Sequence, residues 1–185
     1  MLLTHEGVPL VGVVAASGTG KTTLLRAVIP LLDAAGLRIG CVKHTHHPFE
    51  IDHRGKDSYL LREAGARQML LGSAGRWALM VETHDPVDVP LRELIGRLAL
   101  AELDLVLVEG YRLEEIPRIE IHRAELGGPL LCESLPGVIA LATNLAHAPT
   151  LPIPVLALDD PAVIAGFLIE HVARLRGLQP VSPTA

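Results

Sequence analysis

Aromatic side chains and positive charge are both scarce in this chain of 185 residues. Phe, Trp and Tyr make up 3% of the sequence, and the formal net charge at pH 7 is −5. Proteins that bind nucleic acids in a groove combine a basic surface with aromatic rings that stack on bases. Because both are scarce in this chain, we expect no nucleic-acid partner.

Paired cysteines and long hydrophobic runs are also missing. The two cysteines, Cys41 and Cys132, lie far apart and form no CxxC motif, which is typical of reduced thiols. The apolar runs fall short of the roughly 18 residues that a membrane span needs. The first ten residues carry an acid and lack the apolar stretch of a signal peptide. We therefore expect a cytoplasmic protein with no membrane partner.

Lysine is the third scarcity. Of the 16 basic residues, only Lys21, Lys43 and Lys56 are lysines. The ammonium group is a compact point charge that a guanidinium does not reproduce. These three lysines are therefore candidates for specific binding.

The chain alternates short apolar runs with amphipathic segments, which predicts strands alternating with helices. The predicted strands are Pro9–Ala15, Leu37–Val42, Arg67–Leu71, Trp77–Glu82, Leu103–Val108, Ile119–His122, Val138–Leu141 and Val155–Leu158. The predicted helices are Lys21–Ala35, Asp57–Ala64, Pro90–Ala101 and Pro161–Arg174. This order indicates an α/β fold, three layers around a mostly parallel central sheet. We expect one domain over residues 1–176 and a frayed tail over 177–185.

The segment Ala15–Thr22 (AASGTGKT), which we call the glycine loop, follows the first predicted strand and opens the first predicted helix. Glycines let successive backbone N–H groups approach a phosphate, and the helix N-terminus adds partial positive charge. In this pattern Lys21 reaches the β and γ phosphates and the Thr22 hydroxyl ligates Mg²⁺. The strict pattern has glycine where Ala15 stands. We predict a P-loop NTPase domain that binds nucleotide through Ser17, Gly18, Thr19, Gly20, Lys21, Thr22 and Thr23.

A phosphate-binding loop needs a carboxylate for its magnesium ion. The strand Leu103–Val108 offers Asp104 near its start and Glu109 just after its end. Ligands of parallel sheets bind beyond the carboxyl ends of the strands, and five residues at ~3.3 Å each put Asp104 about 16 Å from that edge. We therefore predict that Glu109 serves the magnesium ion together with Thr22, and that Asp104 takes no part in binding.

Four of the nine histidines fall within ten residues, from His44 to His53. One interpretation is an anion or substrate pocket in which imidazoles and two lysines donate to phosphate. A second is a metal site, and a third is a solvated loop with incidental histidines. The binding candidates are Lys43, His44, His46 and Lys56, and the possible metal ligands are His46, His47, Asp52 and His53.

Asp57 and Asn144 each have two interpretations. Asp57 is a candidate catalytic carboxylate, as a second magnesium ligand or a group that orients water, and it is equally a candidate helix cap. Asn144 follows a late strand, where it could read the edge of a nucleobase or serve as an ordinary turn residue. A full Asn-Lys-x-Asp motif is absent, so these residues alone do not decide between GTP and ATP.

Several segments, taken in order, resemble the MobB family of molybdopterin-guanine dinucleotide biosynthesis adaptor proteins. The glycine loop alone is shared by many NTPases, whereas the histidine segment followed by the later acidic segment is much more specific. The resemblance runs from about Gly12 to Arg123 and more weakly to the last helix. Its segments are Ala16–Leu24, Lys43–His47, Gly55–Ser58, Arg62–Ala66, Arg76–Leu79 and Leu107–Tyr111.

The resemblance implies a homodimer that binds GTP with Mg²⁺ and hydrolyses it slowly. It implies work beside a MobA-type guanylyltransferase, the enzyme that attaches GMP to the molybdopterin of molybdenum cofactor. By position, Gly18–Thr22 would bind the GTP phosphates and Glu109 would be an acidic residue beside the magnesium ion. The segment His44–Ser58 would line a pocket shared with cofactor or partner.

Two alternatives come from other functional classes. A small-metabolite or nucleotide kinase would need a mobile lid with arginines over the phosphates, and Arg112, Arg118 and Arg123 are the clustered set after the acidic strand. A metal-insertion GTPase would carry nickel or zinc on the histidine loop. Such proteins usually have a cysteine pair or a long histidine tract, and this sequence has neither.

Overall fold

The computed structural model describes residues 2–45, 47, 49–83, 87–147 and 150–177. The strands are β1 (Thr4–His5), β2 (Val8–Ala15), β3 (Ile39–Lys43), β4 (Gln68–Gly72), β5 (Trp77–Val81), β6 (Leu105–Glu109), β7 (Arg118–His122), β8 (Val138–Thr143) and β9 (Val155–Ala157). The α-helices are α1 (Lys21–Ala34), α2 (Asp57–Glu63), α3 (Leu91–Ile95) and α4 (Pro161–Leu175). Short 3₁₀ segments cover Leu100–Glu102, Ala124–Leu126 and Leu131–Glu133.

Six strands form a parallel sheet in the order β3-β6-β2-β7-β8-β9. The two-residue strand β1 adds to this sheet antiparallel to β2. The predicted α/β fold with a mostly parallel central sheet is therefore confirmed. Because parallel strands all run the same way, the segments that follow β2, β6, β7, β8 and β9 leave the sheet at one edge.

Alternating side chains of the central strands feed two hydrophobic layers, one on each face of the sheet. Val11 and Leu107 face the layer that α1 and α4 cover, which also contains Val28 and Leu168. The opposite residues, such as Val106, face a second layer that includes Leu91 and Ile95 of α3. This is the period-2 pattern expected of strands buried on both faces.

The contacts group the chain into two compact units, residues 1–44 with 90–185 and residues 45–89. From the sequence we predicted one domain over residues 1–176. The first unit holds the parallel sheet with α1, α3 and α4. The second holds α2 and the antiparallel hairpin β4-β5. Of the predicted tail, residues 178–185 lie outside the described residues.

The predicted helix Pro90–Ala101 is wrong in its length. The α-helix covers Leu91–Ile95 only, and a 3₁₀ turn follows over Leu100–Glu102. The helix ends before Gly96, because glycine is unfavourable within a helix. The Gly96 N–H still donates to the Arg92 carbonyl, at 3.0 Å. None of the helices in the described part of the chain has the length and hydrophobicity that a bilayer crossing requires.

Asp104 anchors the sheet edge opposite the glycine loop. Its Oδ2 accepts from the Arg38 backbone N–H at 2.9 Å and from Arg38 Nε at 2.8 Å. Its Oδ1 accepts from Arg176, just after α4, at 2.6 Å. The hydrogen bonds from Arg38, followed by those from Arg176, hold the pKa of the Asp104 carboxyl well below its usual range. Asp104 therefore ties the starts of β3 and β6 to the end of α4.

Replacing Asp104 by Asn should destabilise the fold by about 1.5–3 kcal/mol at pH 7, the contribution typical of hydrogen bonds to a charged group. A carboxylate with a lowered pKa stabilises the fold above its unfolded pKa, about 3.9, and that contribution disappears as the pH falls further. Urea unfolding at pH 7 and pH 3 should therefore show a stability gap between wild type and Asp104→Asn that narrows in acid.

Asp33→Asn, which changes an exposed acid on α1, serves as the control and should unfold like the wild type. Nucleotide binding by Asp104→Asn should be nearly unchanged, because this carboxylate lies at the far end of β6. An Asp104→Asn variant as stable as the wild type at pH 7 would contradict the anchoring role.

Candidate functional site

The glycine loop joins the end of β2 to the start of α1, as the sequence predicts. Gly18 and Gly20 have φ angles of +76° and +92°, a conformation that side-chain-bearing residues adopt at a cost. Gly20 is the residue that precedes the helix, and no side chain caps the N-terminus. The first turn of α1 contains no acidic residue. Its backbone N–H groups and the positive end of the helix dipole are thus suited to an anion.

Two side chains of the loop fold back on its own backbone. The Thr19 hydroxyl donates to the Ala16 carbonyl at 2.7 Å, and Lys21 Nζ donates to the same carbonyl at 3.4 Å. The Thr19 side chain is buried, whereas Ser17, Thr22 and Thr23 are exposed. Thr19 can therefore serve a ligand only through its backbone, and the three exposed hydroxyls remain available to one.

Glu109 ends β6 at the same edge of the sheet as the glycine loop. It pairs in register with Val13 of β2, two residues before the loop begins at Ala15, and with Lys43 of β3. Its side chain is 16% exposed, and its Oε2 lies 3.4 Å from Lys43 Nζ. A carboxylate and an ammonium group from the predicted set therefore meet beside the loop.

Gly110 is where the end of β6 approaches the end of β3. The His44 N–H donates to the Glu109 carbonyl at 2.8 Å, and the rings of His44 and Tyr111 lie 4.6 Å apart. Gly110 has a φ of +93°, and a Cβ at this position would lie 2.7 Å from the His44 Cβ. Only glycine fits this contact, so it fixes where Glu109 and His44 lie relative to each other.

The late strands form a cleft of about 320 Å³ at the same edge, lined by Thr143–Leu145 and Val155–Asp159. The Asn144 side chain is engaged beside this cleft. Its Oδ1 accepts from the Ala124 N–H at 2.9 Å, and its Nδ2 donates to the Glu125 carboxylate at 2.8 and 3.1 Å. The bond from Asn144 lowers the pKa of Glu125. Asn144 thus holds the turn after β7, and its contact with a nucleobase stays a prediction.

Arg123 contacts the glycine loop, a role that our reading of the sequence did not assign to it. Its Nε donates to the Thr19 carbonyl at 2.9 Å, and its Nη1 lies 3.6 Å from the Asp159 carboxylate. Its position directly after β7 could have predicted this contact. Because β7 is parallel to β2 and pairs with it, the residue that follows β7 lies near the loop that follows β2. Arg118, by contrast, is 2% exposed and donates to the backbone carbonyls of Arg112, Glu114 and Ile116. It is therefore unsuited to a mobile lid.

The histidine segment is divided between the two units. Lys43 and His44 belong to the first, and the second begins at Thr45. His46 lies outside the described residues, whereas Lys56 and Asp57 are exposed at the start of α2. In the ranges that the structure describes, no three His, Cys, Asp or Glu residues are grouped as metal ligands. The binding roles of Lys43, His44, His46, Lys56 and Asp57 stay predictions.

An ion cluster organises the second unit around Arg62, whose guanidinium is largely buried. Its Nη1 donates to the Glu82 carboxylate after β5. Its Nη2 lies 3.4 Å from the Glu50 carboxylate and its Nε lies 3.7 Å from that of Asp52. Asp52 also accepts from the Ser58 hydroxyl at 3.0 Å. The cluster thereby connects α2 to the end of the β4-β5 hairpin, through Glu82, and to the loop that precedes α2, through Glu50 and Asp52.

Several known proteins are similar to this chain in sequence. The family model described as "Molybdopterin guanine dinucleotide synthesis protein B" (MobB) matches residues 10–144. The chain is 43% identical over 173 residues to the molybdopterin-guanine dinucleotide biosynthesis adapter protein of Escherichia coli K12, covering 92% of this chain and 97% of the relative. The adapter protein of the same name from Haemophilus influenzae is 43% identical over 144 residues, covering 78% of this chain and 79% of the relative.

A solved structure of Bacillus subtilis MobB superposes on the chain with a TM-score of 0.68 and 27% sequence identity. The match covers 88% of this chain and 97% of that structure. The similarity therefore extends through both the sequence and the fold.

Replacing Gly110 by Ala should destabilise the protein, because the left-handed backbone alone costs about 1–3 kcal/mol for a residue with a side chain and the new methyl group would meet His44. Chemical denaturation measures this loss. Gly166→Ala is the matched control: Gly166 lies in α4 with open space around its Cβ position, where alanine should add roughly 0.5–1 kcal/mol. Equal stability of the two variants would show that the contact of Gly110 with His44 is not required.

Proposed function

The chain belongs to the MobB family, and from that membership we propose that it is an adapter protein of molybdopterin guanine dinucleotide biosynthesis that binds GTP with Mg²⁺. The coverage of the Escherichia coli adapter, 97% of its length at 43% identity, supports the transfer of this role to the whole chain. Both cysteines are free thiols, which suits the cytoplasmic location that we propose.

The observation that carries GTP binding is the uncapped N-terminus of α1 behind two left-handed glycines. Backbone N–H groups there need an acceptor, and a phosphate supplies one. Lys21 lies on the same loop and donates to the Ala16 carbonyl. We propose that it exchanges this weak contact at 3.4 Å for the β and γ phosphates.

The residues at this edge fit magnesium chemically. The exposed Thr22 hydroxyl and the Glu109 carboxylate are hard oxygen donors of the kind that Mg²⁺ binds, with substrate phosphates and water completing its shell. Bound magnesium would neutralise charge that builds up on the β and γ phosphates. Lys43, whose Nζ lies 3.4 Å from the Glu109 Oε2, would hold this carboxylate near the edge of the sheet.

Hydrolysis of GTP should be slow. Rapid GTPases orient the attacking water with a glutamine and stabilise the transition state with an arginine, and neither can be identified from the sequence. Arg123, which lies at the glycine loop, uses its Nε to donate to the Thr19 carbonyl. We propose Asp57 and Glu109 as the carboxylates that serve water and metal. The chief result of binding is then a held, charge-neutralised triphosphate, which suits a protein that works with a second enzyme.

The proposed partners are a MobA-type guanylyltransferase, molybdopterin and a second copy of this chain. The β4-β5 hairpin supports the last of these. Leu79 stands opposite Leu70 in the hairpin, and Trp77, Leu79 and Val81 alternate along β5 on the same face. Leu70 and Trp77 are 64% and 65% exposed. An exposed apolar face on an isolated two-stranded sheet is typical of a surface that another chain covers.

Lys21→Ala should lose most of the affinity for GTP, because truncating one partner of a desolvated charge pair costs roughly 2–5 kcal/mol. Calorimetric titration with GTP and then with ATP, each with magnesium, measures the loss and the preference for guanine. Arg97→Ala removes a positive charge from an exposed pair with Glu93 and should bind like the wild type. GTP affinity of Lys21→Ala within a few-fold of the wild type would refute binding at the glycine loop.

The wild type should sediment as a dimer, and the double variant Leu70→Lys/Trp77→Lys should sediment as a monomer, because two charges on the apolar face oppose its burial. Sedimentation velocity distinguishes the two species. Leu113→Lys alters an apolar side chain that is 96% exposed outside the hairpin, and it should leave the dimer intact. A double variant that stays dimeric would place the contact between copies elsewhere.

A further inference from the structure

We propose that Arg123 is a positioning residue for the triphosphate, acting through the backbone of the glycine loop. The inference rests on the proposed binding of GTP at that loop. It assigns to Arg123 the task of holding one loop peptide in the orientation that presents its N–H to a phosphate. Its ion pair with Asp159 extends this role to the cleft beside β9.

The topology delivers Arg123 to the loop. Strand β7 pairs in parallel with β2, with Ile121 opposite Ala15, so Arg123 leaves the sheet two residues later beside the loop. Its Nε donates to the Thr19 carbonyl at 2.9 Å. A Cβ built on Gly20 would lie 3.8 Å from both Nε and Nη2 of Arg123. The guanidinium therefore lies against the Thr19–Gly20 peptide.

The planar peptide group explains why this contact matters to a ligand. In a trans peptide the C=O and the following N–H point in opposite directions. A donor that fixes the Thr19 carbonyl therefore also fixes the Gly20 N–H. Because Gly18 and Gly20 flank Thr19 and both have positive φ angles, the backbone at this point could otherwise rotate readily. Arg123 thus replaces several loop conformations by one before the nucleotide arrives.

A donor that is oriented in advance raises affinity because binding no longer has to order it. The Thr19 hydroxyl also helps to order the loop, by donating to the Ala16 carbonyl at 2.7 Å. Arg123 adds a bond that spans 104 positions of the sequence, which links the loop to the end of β7.

Asp159 holds the outer end of the guanidinium. Its Oδ1 lies 3.6 Å from Arg123 Nη1, and Asp159 also lines the cleft beyond β8 and β9. The neighbouring Asp160 has a separate task, since its Oδ1 caps α4 by accepting from the Ala162 N–H at 3.0 Å. Asp159 is therefore the acid whose loss should loosen Arg123 without removing a helix cap.

The test compares Arg123→Met, which removes every donor, with Arg123→Lys, which keeps one cationic donor. GTP affinity is measured by calorimetry with magnesium, and guanosine affinity by displacement of a fluorescent GTP analogue. Arg123→Met should weaken GTP binding roughly 10- to 100-fold and leave guanosine binding nearly unchanged. Arg123→Lys should recover part of the loss, and Asp159→Asn should show a smaller loss in the same direction.

Arg97→Met, which removes an equal charge from an exposed ion pair with Glu93, controls for long-range electrostatics. Thermal unfolding without nucleotide controls for the fold. If Arg123→Met binds GTP like the wild type, or if Arg97→Met loses as much affinity, the positioning role is overturned. A parallel loss of guanosine binding would also overturn it. If the wild type binds no GTP, or Lys21→Ala binds it normally, the proposed function fails instead, and the inference fails with it.

Should Arg123→Met not fold, Asp159→Asn and Arg123→Lys still decide the question. A phosphate-dependent loss in Asp159→Asn supports the inference. Unchanged GTP affinity in both of these variants contradicts it.

Discussion

The parallel pairing of β2 with β6 on one side and β7 on the other is the constraint on which the candidate site depends. The register sets Val13 opposite Glu109 and Ala15 opposite Ile121. A shift of one residue in either pair would turn every side chain of that strand to the opposite face. The hydrophobic layers on both faces of the sheet therefore fix the positions of the candidate site residues at its edge, although the residues of these layers are not themselves site candidates.

Much of this arrangement could be predicted from local patterns. Apolar runs gave β2 and β6 to within two residues, and the glycines with Lys21 placed the loop between strand and helix. The choice of Glu109 over Asp104 followed from strand length and direction alone, and the structure puts the two acids at opposite ends of β6. Predictions of position succeed because they need only the direction of a chain and its period, both of which are local properties, whereas the magnesium role of Glu109 stays a prediction.

What the sequence did not show depends on contacts between distant segments. The bond from Arg123 to Thr19 joins residues 104 positions apart, and an arginine after a strand has many possible partners. Asn144 was interpreted correctly as a residue that follows a late strand, but its amide is used by Ala124 and Glu125. Contacts also group residues 45–89 into a unit of their own, and two short strands with one short helix, each predicted, do not reveal such a grouping in the sequence.

The ion cluster at Asp104 also joins the last helix to the sheet. Arg176 follows directly on α4 and is bonded both to Asp104 and to the Leu103 carbonyl. Arg38 reaches the same carboxylate from the start of β3, so one acidic side chain joins two strands and a helix that are distant in the sequence. Because Asp104 lies at the end of β6 remote from Glu109, this junction secures α4 without occupying the edge of the sheet where the glycine loop lies.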